Sequence, residues 1–424
     1  MLIHSASQIL TLSGGPQRGR QLGELGIIED GALVILQGII QDVGATSELV
    51  KKYSGMEQID ASGKVLMPGF VDAHTHVVWA GDRATEFELR LQGKTYLEIL
   101  EAGGGILATV TATREASLEE LIAQTRPRLQ TMFLHGSTTI EAKTGYGLEL
   151  ESELRQLEAL LRLDKEGPWE LAITILAAHA VPAEFKGKAN DYVGEICERM
   201  LPRMHEWWLE YAGERPLPFV DVFCETGAFD MGQSRQILET AINLGFPVKI
   251  HADEFDNLGG AALAIELGAV SADHLVSTSN KEIAAFGENE TVAVALPATP
   301  FGLAERDYTP ARKIIEAGGL LAVASDLNPG TAWGESLQFA LALACRYLKL
   351  TPAEAIAAST INAAAAISRQ NQIGSLEVGK QADMLLLSVD DYRHVGYRFG
   401  TNLVHTVIKK GQLYSAREIM HAMD

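Results

Sequence analysis

Eight short apolar runs, separated by stretches of helical spacing, occupy the middle of this chain and limit its fold more than any other feature. They are residues 70–76, 138–143, 171–179, 219–225, 248–254, 270–274, 291–297 and 320–326. Strands that are apolar nearly throughout are buried on both faces, and strands alternating with helices pair in parallel. The intervening helices carry their own punctuation. Ser117-Leu118-Glu119-Glu120 is a capping box, and Pro127 predicts a kink or break in the helix it opens. Residues 148–166 are amphipathic and end at Gly167-Pro168. Thr351-Pro352-Ala353-Glu354 supplies an N-cap, an N1 proline and an N3 glutamate ahead of a helix over 353–367. The expected class is α/β, a TIM-like (β/α)8 barrel. A doubly wound open sheet is the alternative. It lacks a phosphate loop, since Gly103-Gly104-Gly105 has neither the strand–helix setting nor the Lys-Ser/Thr ending.

Polar residues collect at one end of these runs. His76, Lys143, His179, Glu225, His251, His274 and Asp326 all lie at or near a C-terminal end, where barrel enzymes keep their chemistry. In an extended strand, residues i and i+2 face the same way, so His74 and His76 can share one ion. With His251 and Asp326 they offer three nitrogens and a carboxylate oxygen, a set suited to Zn2+ and also to Fe or Mn. Each has a blander reading alone. A His-x-His pair can be a surface coincidence, His251 a core histidine bonded to backbone, Asp326 a helix cap. Their conjunction at strand ends favours a catalytic metal centre.

The two ends of the chain differ from the middle. Residues 31–36 and 39–44 form a hairpin pattern around Gln37-Gly38, followed by helical spacing over 47–53. Residues 383–387 and 403–408 are further strand patterns, the second closed by Lys410-Gly411. The expectation is a small β-sandwich domain formed by residues 1–62 plus 373–424, beside a barrel of residues 63–372. A net charge of −20 without a Lys/Arg block argues against nucleic acid or an anionic membrane as partner. An anionic substrate would therefore need local positive charge. Cys197, Cys224 and Cys345 are odd in number and widely spaced, which fits a reducing compartment better than a disulfide framework. Neither a signal-peptide pattern nor a bilayer-spanning apolar stretch is visible, so a cytoplasmic protein is expected.

Pro68-Gly69-Phe70-Val71-Asp72-Ala73-His74-Thr75-His76 resembles the opening signature of the amidohydrolase superfamily. Ile373-Gly374-Ser375-Leu376-Glu377-Val378-Gly379-Lys380-Gln381-Ala382-Asp383 resembles its closing one. The resemblance spans essentially the whole chain. It implies a metal-dependent hydrolase with a barrel and a small β-sandwich, commonly a homodimer. Many members bridge two metals with a carboxylated lysine on strand four. Here the fourth run ends in Glu225 and Lys143 belongs to the second, which favours one Zn2+ or Fe3+ ion per chain. Finer motifs are Ile140-Glu141-Ala142-Lys143-Thr144-Gly145-Tyr146-Gly147-Leu148, Ala178-His179, His251-Ala252-Asp253-Glu254 and Ser325-Asp326-Leu327-Asn328-Pro329-Gly330. Together they are similar to the branch that opens 4-imidazolone-5-propanoate with water in histidine degradation, giving N-formimidoyl-L-glutamate. Ala142 and Thr144 stand where a common variant has isoleucine and serine, both small changes.

On this reading the substrate is a small anionic cyclic amide, and Glu254, His274 and Asp326 are the catalytic candidates. Asp326 would ligate the metal and accept the water proton, His274 would assist, and Glu254 would shuttle a proton to the ring nitrogen. Arg83 can fork onto a carboxylate. Taken alone, it would be read as a surface partner of Glu86. Tyr96, Tyr146 and His179 could complete that pocket, with Arg83 and His179 as its sources of positive charge. By resemblance, Asn328, Gly330 and Thr331 also line it, as does Glu254. Three other readings stay open: a nucleobase or purine-derivative deaminase with the same metal site, a barrel kept as a binding or scaffold protein, and a two-metal peptidase or dihydropyrimidinase-like enzyme. The scaffold reading would show lost ligands, and none is lost; the two-metal reading lacks its strand-four lysine.

Overall fold

The computed structural model describes residues 1–94 and 104–415. Two eight-stranded sheets organise them. The first is built from both ends of the chain: β1 (Leu2–Leu10), β2 (Ile27–Leu36), β3 (Ile39–Ala45), β4 (Gln58–Asp60) and β5 (Val65–Pro68), then β14 (Met384–Leu387), β15 (Val404–Lys409) and β16 (Gln412–Tyr414). Its order is β16-β15-β14-β5-β1-β2-β3, with β4 alongside β1. Gln37 and Gly38 both take positive φ at the β2–β3 turn, which matches the right-handed twist of the strands it joins.

The second sheet is the barrel. Its strands are β6 (Phe70–Asp72), β7 (Ser137–Lys143), β8 (Glu170–Ala178), β9 (Phe219–Cys224), β10 (Lys249–Ala252), β11 (Ser271–His274), β12 (Val292–Ala295) and β13 (Leu321–Val323). Each pairs in parallel with the next. The ends meet through a parallel bridge from Thr75 to Leu327, which brings the last strand back against the first. All eight apolar runs are thus barrel strands.

The chain passes from sheet to barrel across one residue. Pro68 ends β5 and Phe70 begins β6. A Cβ on Gly69 would stand 2.3 Å from Thr138 Oγ1, so no other residue fits without displacing β7. The Gly69 amide donates to the Asp383 carbonyl at 3.0 Å, which ties the opening signature to the closing one.

Helices cover the barrel's outside. Helix Leu150–Glu166 turns Leu157, Leu160 and Leu163 inward at three-residue spacing, and each such buried leucine stabilises the fold by about 1.5–3 kcal/mol. Of the kink or break expected at Pro127 the break does not occur, and the single helix expected over 353–367 is corrected. Helix Leu118–Leu134 keeps its capping box but runs unbroken through Pro127. The bond lost there is offset by a buried face that includes Leu121, Ile122 and Leu129, and by Arg128 Nη1, which donates to the carbonyls of Val77 and Trp79 at 3.0 Å. The helix expected over 353–367 is two, Pro352–Ala358 and Ile361–Ala365. Ser359 Oγ donates back to the Ala355 carbonyl and Thr360 Oγ1 to that of Ile356, competing with the helical ladder. The Ser359 carbonyl instead accepts the Val71 amide of β6 at 2.9 Å. Cys197, Cys224 and Cys345 are free thiols. Among the described residues, no helix is long and apolar enough to cross a membrane.

Candidate metal centre and active site

The site is built where the barrel closes. The His76 amide donates to the Leu327 carbonyl at 2.8 Å and the Asp326 amide to the His74 carbonyl at 3.1 Å. This zipper fixes three candidate ligands on adjacent strands. Thr75, between the histidines, turns the other way and donates its hydroxyl to the Glu141 carbonyl at 2.6 Å. His251 arrives on β10 and His274 at the end of β11. His274 and Asp326 hold φ of 76° and 53°, the left-handed region that costs a non-glycine residue roughly 1–3 kcal/mol. Such strain concentrates at functional sites.

The donor atoms converge. His74 Nε2 and His76 Nε2 each lie 3.5 Å from Asp326 Oδ1, and His251 Nε2 is 3.3 Å from His76 Nε2. Bonds of about 2.1 Å to a tetrahedral ion place neighbouring ligand atoms about 3.4 Å apart. His74 Nε2 and Asp326 Oδ1 are buried without a hydrogen-bond partner. A buried orphan of this kind costs about 1–3 kcal/mol, which a cation would relieve. The residues therefore fit a metal ion. His274 also brings a ring nitrogen within 4.8 Å of those of His74 and His251.

Three of the ligands, His74, His251 and Asp326, are oriented from outside. His74 Nδ1 donates to Asp273 Oδ2 at 2.6 Å, leaving Nε2 free for the ion. His251 Nδ1 lies 3.0 Å from Asp221 Oδ2. The Thr299 hydroxyl donates to Asp326 Oδ2, leaving Oδ1 to face the histidines. Beneath these carboxylates sits a buried ionic layer. Lys143 Nζ meets Glu141 at 2.7 Å and Asp221 at 2.8 Å, and Lys249 Nζ donates to the Ala73 carbonyl at 2.9 Å. Lys143 belongs to this layer, not to the cavity. Sequence reasoning assigned no role to Asp221, Asp273, Lys249 or Thr299. The available signal was a charge inside an apolar run, as in Phe219-Val220-Asp221-Val222.

A cavity of about 640 Å3 opens over the cluster. It is lined by His76, His251, His274 and Asp326 and also by Arg83, Tyr146, His179, Glu254, Asn328, Gly330 and Thr331. Every site residue expected from the sequence and described in the structure thus lines this cavity or, as His74, lies directly beneath it; Tyr96 lies outside the described residues. Glu254 Oε2 is 3.6 Å from His274 Nε2. Burial, reinforced by Asp326 and Glu225, pushes the Glu254 carboxyl well above the ordinary range, which favours its protonated form. Burial pushes Asp326 to about 6 on the protein's own charges, and a bound cation acts in the opposite direction. Glu225 accepts the amides of Thr226 and Phe255 at 2.8 and 2.9 Å, and so shapes the turn that aims Glu254.

One pocket residue, His179, differs from expectation. His179 donates Nδ1–H to the Gly145 carbonyl at 3.0 Å, and burial pushes its pKa down to about 3. It is neutral and stacks on His76 at 4.8 Å, so it adds no positive charge. Asn328 accepts the amides of Gly330 and Thr331, both at 2.8 Å, and donates to the Asp326 carbonyl at 2.8 Å. Its amide is spent on holding the loop. Positive charge in the pocket comes from Arg83, which is both a partner of Glu86 and part of the cavity wall.

Comparison with known proteins places the chain among hydrolases. The sequence model of the amidohydrolase family matches residues 65–414. A protein of Herpetosiphon aurantiacus named imidazolonepropionase is 48% identical over 422 residues, covering 99% of this chain and 98% of its own. The Symbiobacterium thermophilum protein of the same name is 46% identical over 417 residues, covering 97% and 96%. Among solved structures, atrazine chlorohydrolase TrzN from Arthrobacter aurescens complexed with zinc superposes with a TM-score of 0.73 at 15% identity, covering 100% of this chain and 98% of that one. E. coli guanine deaminase superposes at 0.72 and 14% identity, covering 98% of both chains. At such identities the likeness concerns the fold alone.

Proposed function

Because this chain belongs to the amidohydrolase family and, within it, to the imidazolonepropionases, we infer that it opens the ring of 4-imidazolone-5-propanoate with water, yielding N-formimidoyl-L-glutamate. It is a metal-dependent hydrolase of a cyclic C–N bond. One observation carries the substrate assignment: Arg83 shares a single chamber with the histidine–aspartate cluster. A group made for carboxylates thereby stands beside a hydrolytic centre, in a protein whose net charge is −20.

His74, His76, His251 and Asp326 would hold one ion, Zn2+ or Fe3+. When bound, such an ion polarises a carbonyl and brings the pKa of water from about 15.7 to about 7. The protein's own groups do the rest. Arg83 binds the propanoate and, with Tyr146, sets the ring over the cluster. His179, neutral with its Nδ1–H already donated, has Nε2 left to accept a ring N–H. Asp326 and His274 take the proton as water adds to the ring carbonyl carbon. Glu254, whose burial favours the protonated carboxyl, gives a proton to the ring nitrogen, and the C–N bond breaks. The carbonyl carbon becomes the new carboxylate and the nitrogen stays in the formimidoyl group. Free thiols and a cytoplasmic location are consistent with this metabolic role, and a homodimer is the assembly we propose.

The test is steady-state kinetics on 4-imidazolone-5-propanoate beside cytosine, guanine and simple cyclic ureas, with metal content measured on the same sample. Turnover of the propanoate ring alone supports the reading. Ammonia release from a nucleobase, with no ring opening of the propanoate, replaces it with a deaminase.

A further inference from the structure

A guanidinium can present a carboxylate with either of two edges, and in this structure one is already taken. Arg83 donates from Nε to Glu86 Oε2 at 2.8 Å and from Nη2 to Glu86 Oε1. Both side chains are largely enclosed, at 14% and 9% exposure. The Glu86 carboxylate does a second thing: its Oε2 accepts the Gly105 amide at 2.8 Å, just ahead of helix Ile106–Glu115. Burial opposes ionisation of Glu86, but the bonds from Arg83 and Gly105 prevail and hold its carboxyl below the ordinary range. On its far side Arg83 lies against the loop after β13. A Cβ on Gly330 would stand 2.4 Å from Arg83 Nη1. The guanidinium is therefore gripped on its Nε side by Glu86 and packed against a glycine. Among the described residues, the edge left without a carboxylate partner is Nη1 with the second hydrogen of Nη2, two donors in parallel, on a residue that lines the catalytic cavity.

We propose that Glu86 is a positioning and specificity residue: it fixes Arg83 so that only its end-on edge meets the substrate's carboxylate. This rests on the reading of Arg83 as the propanoate clamp and deepens it. Without Glu86 the arginine has four soft torsions and two usable edges, and a carboxylate must order it on binding. With Glu86 that ordering is already done. The pair is also neutral before substrate arrives, so the pocket selects a carboxylate by direction and not by bulk positive charge. A carboxylate tethered to a ring at the right distance gains both bonds.

The test compares wild type, Glu86→Ala, Glu86→Gln and Glu86→Asp on the propanoate substrate. It adds calorimetric binding of imidazole-4-propanoate and of plain imidazole to the metal-loaded proteins. In Glu86→Ala the expected result is a KM about 10-fold higher with kcat within about threefold, partial recovery in Glu86→Asp, and less in Glu86→Gln. Binding of imidazole-4-propanoate should weaken by a similar factor while plain imidazole stays unchanged. Equal losses for both probes, or a fall in kcat with unchanged KM, would overturn the proposal and make Glu86 a folding residue. If the wild type fails to open the propanoate ring yet binds imidazole-4-propanoate better than imidazole in a Glu86-dependent way, the assigned reaction fails while the role of Glu86 stands.

Discussion

Asp273→Asn isolates the claim that ligands are oriented from behind. Asp273 is fully buried, and its carboxylate accepts from His74 Nδ1 at 2.6 Å. Its nearest ammonium groups, on Lys143 and Lys249, are farther away at 3.8 and 3.9 Å. Both lysines have closer partners: Glu141 and Asp221 for Lys143, and the Ala73 carbonyl for Lys249. The substitution should therefore fall on the histidine more than on the fold. A charged hydrogen bond contributes about 1.5–3 kcal/mol, and removing a supporting partner of a metal-bound histidine typically costs about 10- to 100-fold in affinity. The amide oxygen can still accept from Nδ1–H, so the tautomer survives while the negative charge does not. The expected outcome is a metal dissociation constant 10- to 100-fold higher (an order-of-magnitude figure from the same rule), measured by equilibrium competition with a chelator, with little change in the melting temperature of the metal-free protein. Unchanged affinity would refute the reasoning. So would a metal-free protein so destabilised that unfolding accounts for the whole loss.

Three further perturbations separate the remaining roles. Arg83→Met should raise KM for the propanoate substrate by about 10- to 100-fold, while a neutral ring lacking the carboxylate is indifferent to the change. Glu254→Gln should keep its full metal content and lose kcat by roughly 100-fold or more; metal loss by elemental analysis would make Glu254 a ligand instead. Lys409→Met should lower the melting temperature, because Lys409 is buried against Asp383 at 2.6 Å and Glu170 at 2.7 Å, and breaking a buried pair costs about 3–5 kcal/mol, with the quarter-exposed Glu170 placing this at the low end. Burial raises the Glu170 pKa, but Lys409 and its neighbours outweigh that and hold it well below the ordinary range. A lowered folded-state pKa gives stability that is present above about pH 4.5 and lost as pH falls toward the folded value. Acid denaturation of Lys409→Met should accordingly depend less steeply on pH below that point.

The barrel was legible because its strands are short, apolar and regularly interrupted, and because parallel strands buried on both faces leave few other readings. The metal ligands were legible because they end those strands, with His74 and His76 two apart on one face. What escaped was chemistry inside the apolar runs. Asp221, Glu141 and Lys249 are buried charges that exist only as a mutually satisfied set, and no single strand shows its partners. Thr299 follows a strand with no polar ending, yet it fixes Asp326 from the next one. His179 could be placed but not its protonation state, which depends on the Gly145 carbonyl contributed by a different loop. Local signals erred at Pro127 and at Ser359-Thr360 for the same reason, since tertiary contacts with Arg128 and with Val71 outweighed them.

The central claim is hydrolytic opening of a ring whose carboxylate is held by Arg83. Mass spectrometry of the product formed from 4-imidazolone-5-propanoate by the metal-loaded protein in 18O-enriched water tests it most directly. The account predicts a product equal to substrate plus one water, with the heavy oxygen in a new carboxylate and no ammonia released in the primary step. Stoichiometric ammonia, or unchanged substrate beside turnover of a nucleobase, would contradict it.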